Sequence, residues 1–168
     1  PFNHYWAPYF EHHGGQLGLA GIWVLMYGSV VVASWFARRL TIPTGSESGL
    51  MVMALLLAGG GIFAIPLFTG LAVPLVFVMI QEAGRGLFTP LADTFVQHRV
   101  ESGYRATYGS LQSFLGKGGF MLTSFAMWLL IGDAPTTAAT IEKTWFGAGA
   151  AIVVSAALLY WFRPRSAR

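Results

Sequence analysis

Five apolar runs, each long enough for a helix to cross a bilayer, constrain this chain more than any other feature. They cover residues 15–37, 49–68, 72–96, 106–131 and 144–162. A helix rises about 1.5 Å per residue and a hydrocarbon core is about 30 Å thick, so one crossing takes about 20 apolar residues. None of the runs alternates apolar and polar positions as the strands of a membrane β-barrel do. Only 10% of the residues are charged, while 55% are hydrophobic; an ordinary soluble domain carries about 25% charge. The sequence therefore predicts an all-α, polytopic membrane bundle of five transmembrane helices, forming a single domain over residues 1–168.

Charge placement then orients the bundle. With five crossings, Arg38, Arg39, Arg99, Arg105, Arg163, Arg165 and Arg168 fall on one side, and only Lys143 lies in the segments on the other. Basic residues collect on the cytoplasmic side, so the C-terminus is expected in the cytoplasm and the N-terminus outside, in a cell inner or plasma membrane. In a soluble chain such a basic balance would suggest nucleic acid; here it reads as topology, and the bilayer is the expected partner. Residues 1–14 lack the basic-then-apolar pattern of a secretory signal.

Tyr5, Trp6, Tyr9 and Phe10, together with Trp145, Tyr160 and Trp161, are expected as interfacial anchors. His4, His12 and His13 lack the carboxylate or cysteine that would complete a metal set, and no metal or cofactor is expected. The absence of cysteine removes thiol and disulfide chemistry.

The third apolar run is interrupted by "QEAGRGLFTP", residues 81–90. Glu82, Gly86, Thr89, Asp93 and Gln97 recur at intervals of four, three, four and four, which places them on one helical face with Arg85 at its edge. Such a face is costly against lipid and must look into protein or a water-filled cavity. The fourth run carries a weaker stripe of Ser110, Ser113, Lys117 and Ser124. Counted outward from the intervening loop, Arg85 and Lys117 reach nearly equal depth, roughly 20 to 25 Å of helix from its centre.

Two readings of these charges stay open. In one, Glu82 and Arg85 form an i, i+3 pair that neutralises itself and staples helices, with Lys117 bonded to a carbonyl. In the other, Glu82, Arg85 and Lys117 form a substrate or proton site near the midplane. There the two cations would attract an anionic or strongly polar group. Glu82 carries a proton if burial dominates and stays ionised if Arg85 does. Asp93 lies nearer the cytoplasm, as a gate partner for Arg99 or Arg105 or as a plain interfacial carboxylate. The glycines at 59–61, 116, 118, 119, 147 and 149 suit close helix packing or flexing. "GKGG" is not a phosphate loop, because Leu111 stands where the first glycine belongs and Gly118 where Ser or Thr belongs. No serine–histidine–carboxylate set, metal set or phosphate loop converges at one depth, so no enzyme is expected.

The run "GRGLFTPLADTFVQHRVESGYRATYGSLQS" resembles a recurring stretch of the major facilitator superfamily. In that stretch, a helix with a glycine and a proline leads through a short cytoplasmic loop to Arg-Ala-Thr and a serine, here Gly86, Pro90, Arg105, Ala106, Thr107 and Ser110. The opening "YWAPYFEHHGGQLGLAGIW" resembles the outer end of that family's seventh helix running into the eighth. The resemblance covers essentially the whole chain and makes its runs helices eight to twelve, the C-terminal part of a longer transporter. It departs from the family in "ARRLTIPTGSES", which lacks the acidic-and-basic loop signature of many members.

What the resemblance implies is secondary active transport of a small polar or anionic solute, coupled to protons or ions, by alternating access between two six-helix halves. Glu82, Arg85 and Lys117 would lie on cavity-lining helices, and a missing N-terminal half would complete the pathway. The competing expectation is a non-transporting membrane scaffold, or an inactive fragment that packs with a partner.

Overall fold

The computed structural model describes residues 2–12, 18–131 and 137–162, and these are helical almost throughout, with no strand among them. Short α1 (Phe2–His12) is followed by α2 (Leu19–Arg39) and α3 (Glu47–Ala64), which a 3-10 turn extends to Leu67. Then come α4 (Ala72–Arg99), α5 (Arg105–Ile131) and α6 (Ala138–Phe162). Gly45 and Gly70 take φ of 99° and 83° in the turns ahead of α3 and α4, a region that only glycine enters without steric cost. Arg38 and Arg39 close α2, and His98 and Arg99 close α4, where cations complement the negative end of the helix dipole.

By length and composition, α2, α3 with its following turn, and α6 are apolar enough to cross a membrane. The chain is a membrane-embedded helical protein on that ground.

Four helices pack side by side in the order α2, α4, α3, α6. Glycines set their spacing. A Cβ on Gly84 of α4 would stand 2.5 Å from the Ala58 nitrogen and 2.6 Å from the Ala54 oxygen of α3. Gly59 and Gly149 play the same part between α3 and α6, as does Gly86 between α4 and α2. Small residues let backbones approach where lipid offers no hydrophobic drive to associate. Gly60, Gly116, Gly118, Gly119 and Gly147 meet nothing that a Cβ would touch, so close packing accounts for only some of the glycines.

Two apolar clusters hold the layer. One, at the α1 end, gathers Ile22, Met26, Ile62, Val78 and Trp145; the other, toward the arginine-rich end, gathers Met51, Ala54, Leu91 and Ala92. Tyr9, Phe10 and Trp145 are buried core residues and not interfacial anchors. The reason is α1, which lies against α6 and brings the Tyr9 and Trp145 rings to 4.6 Å. Tyr160 and Trp161 do stand on the surface.

No described helix packs along α5. Phe114, Leu122, Phe125 and Trp128 all face outward from it.

A buried charge pair on α4 as the candidate functional site

The site is built around a proline. Pro90 sits inside α4, and having no N–H it leaves the carbonyl four residues earlier, that of Gly86, without its helical donor. Within a bilayer such a carbonyl needs another partner. Ser34 of α2 supplies it, donating its hydroxyl to Gly86 O at 2.8 Å. The glycine makes this reachable, since a Cβ there would stand 2.6 Å from Val30 O. One turn further along, Thr94 Oγ1 donates back to Pro90 O at 2.9 Å. The proline is thereby absorbed, and α4 runs unbroken from Ala72 to Arg99.

One turn before Gly86 lies Glu82, fully buried. Its Oε2 is 2.6 Å from Arg85 Nη2, with Arg85 itself 41% exposed. The distance makes an ion pair, while Oε1 has no hydrogen-bond partner among the described residues. Gln81 Oε1, on the flank facing α3, is likewise buried without a donor. The middle of α4 thus gathers acceptors that the bundle leaves short of protons, with a single half-exposed cation at their edge. Chemically, such a group can take up a proton or a donor-rich solute.

Lys117 is not brought to this pair. It is exposed on α5, along which no described helix packs. Ser110 and Ser113 share that exposed surface. Equal depth counted along two helices does not make them neighbours.

The expected gate partners also separate. Arg99 turns to Glu47 Oε2 at 3.5 Å and lies over the Phe95 ring, 3.9 Å from its centroid. Arg105 donates to Val100 O and Gln97 O, each at 3.0 Å, satisfying carbonyls that the end of α4 leaves open. Asp93 therefore pairs with neither. It lines a small polar cleft with Arg38, Thr94 and Gln97.

Sequence reasoning missed Glu47. Completely buried at the first position of α3, it accepts from the Gly45 N–H at 2.7 Å and meets His98 Nδ1 at 2.5 Å. With Arg99 this ties the α2–α3 loop to the end of α4. An acidic residue opening a helix was a visible signal, but nothing local pointed 51 residues ahead to its partner. His4, His12 and His13 lie outside the side chains the structure describes, as do Arg163, Arg165 and Arg168.

Comparison of the chain with family models, with curated proteins and with solved structures finds no match.

Proposed function

We propose that this chain is the C-terminal part of a secondary active transporter of the major facilitator type, moving a small polar or anionic solute by alternating access coupled to proton or ion movement. The observation that carries the reading is Glu82, a carboxylate with no exposure that meets Arg85 in the middle of a membrane-embedded bundle. Ionisable groups at such depth are costly and mark solute and proton pathways.

The proposal takes α4 and α5 as two further spans, five in all, with the C-terminus in the cytoplasm of a cell inner or plasma membrane. Their 28 and 27 residues would extend about 40 Å as helix, more than a hydrocarbon core requires. The bare flanks of α5 favour further helices beside it, and those helices would complete the pathway and bring a partner surface to Lys117. Asp93 then belongs to the cytoplasmic end of the pathway, while Arg99 and Arg105 fasten the loops that frame it.

A second reading, a non-transporting scaffold, draws on the self-neutralising geometry of the same pair. Flux separates the two. The full-length protein is reconstituted into proteoliposomes holding a pH-sensitive dye and challenged with mono-, di- and tricarboxylates. The transporter reading expects luminal pH to move with one class of anion, Glu82→Gln to cut that movement about tenfold or more, and the Arg85→Ala, Lys117→Ala double variant to abolish the anion response. Equal transport by the double variant contradicts an anionic solute. A Glu82→Gln protein that melts earlier but transports normally contradicts the pathway and favours the scaffold.

A further inference from the structure

Between α2 and α4 runs an apolar groove of about 850 Å³, and at its arginine-rich end opens the polar cleft of about 350 Å³. The two are collinear. On α4 the groove is lined at Val76, Ile80, Ala83 and Leu87, and the cleft continues at Pro90, Thr94 and Gln97. These positions alternate steps of four and three, the spacing of one helical face. From Val76 to Leu87 the face extends about 16 Å, close to half of a 30 Å hydrocarbon core. At its cleft end the groove reaches Arg38, which closes α2, and a headgroup would sit there.

Among the described residues the cleft holds one cation and one anion. Arg38 and Asp93 both line it, and no ion pair among the described residues uses either. The other described arginines of this end are engaged elsewhere: Arg39 over the Trp35 ring at 4.8 Å, Arg99 with Glu47, Arg105 on the α4 carbonyls. A headgroup with one phosphate and one primary ammonium complements this pattern. A purely anionic head would leave Asp93 facing like charge. A trimethylated head has no N–H to donate to it.

We propose that the α2–α4 groove binds one phospholipid of the ethanolamine class, an acyl chain lying along Val76 to Leu87, the phosphate on Arg38 and the ammonium on Asp93. The site shares Asp93 with the cytoplasmic end of the proposed pathway, so lipid binding is measured separately from flux. Trp35 and Phe36, both exposed beside it, stand at the headgroup level where aromatic rings concentrate.

The test is native mass spectrometry of the full-length protein, stripped of lipid in mild detergent and offered phosphatidylethanolamine, phosphatidylcholine and phosphatidylglycerol of matched chains. The expected result is a one-to-one phosphatidylethanolamine adduct at least about tenfold more abundant than either alternative. That preference should be lost in Asp93→Asn and kept in Asp93→Glu, while Arg38→Gln should weaken the adducts of all three lipids together. Melting temperatures of the variants show that each remains folded; should Asp93→Asn unfold, the Arg38→Gln and Asp93→Glu pair decides. Preferential phosphatidylglycerol binding, equal binding of all three lipids, or a phosphatidylethanolamine preference surviving in Asp93→Asn overturns the proposal. A crosslink from Val32→Cys to another protein segment in place of lipid overturns it as well.

Discussion

Ser34 donates its hydroxyl to the Gly86 carbonyl across the α2–α4 interface, and that carbonyl is the one Pro90 leaves without a helical donor. One side chain on a neighbouring helix thus compensates a defect built into the helix that bears the buried charges. Ser34→Ala should lower stability by about 1 kcal/mol, the scale of hydrogen bonds between membrane helices. Pro90→Ala restores an N–H within reach of Gly86, so the Ser34→Ala, Pro90→Ala double variant should lose less than Ser34→Ala alone. Thermal melting of the four proteins in one detergent measures this coupling. Strict additivity would show that the hydroxyl and the proline are unrelated.

Gly84→Ala is expected to force α3 and α4 apart, because its Cβ would meet the backbone of Ala58 and Ala54 and not a side chain able to turn away. The cost should be about 1–3 kcal/mol. Gly60→Ala meets nothing within 4 Å and should be neutral, or stabilising by up to about 1 kcal/mol. The two melting temperatures should move apart; equal shifts would contradict the close α3–α4 approach.

Glu47 holds the α2–α3 loop through the Gly45 amide while engaging His98 and Arg99. Glu47→Gln should release that loop, and hydrogen exchange at Gly45 should quicken about tenfold, corresponding to one charge-assisted hydrogen bond. His98→Ala should act in the same direction by a smaller factor, since Arg99 and the Gly45 amide still hold the carboxylate. Exchange at Gly45 unchanged in both variants would show that the loop is fixed by other contacts.

The helices were legible because apolar run length determines them: the expected run 106–131 is α5 from Arg105 to Ile131, and 72–96 lies within α4. The contact of Glu82 with Arg85 followed from i, i+3 spacing, a purely local property. What sequence could not give was which helices are neighbours. Lys117 matched Arg85 in depth, but depth counted along a hairpin says nothing about whether its two arms pack, and α5 stands clear. Ser34, 52 residues from Gly86, looked like any small residue in an apolar run. Tyr9 and Trp145 looked like interfacial aromatics because their amphipathic rings suit either place, and the docking of α1 on α6 decided between them.

The central claim is that the face of α4 bearing Glu82 and Arg85 lines a path that water and solute enter from both sides in turn. These 168 residues hold no cysteine, so an introduced thiol is the one this part of the chain offers a reagent. Thr89 belongs to that face, two turns past Glu82, and is exposed; Leu56 of α3 is exposed on an apolar flank. Thr89→Cys in the full-length protein, treated with a charged, membrane-impermeant thiol reagent from either side of sealed vesicles, is predicted to label from both sides, while Leu56→Cys labels from neither. A Thr89→Cys protein as inert as Leu56→Cys would contradict the account and leave Glu82 and Arg85 as a sealed staple between helices.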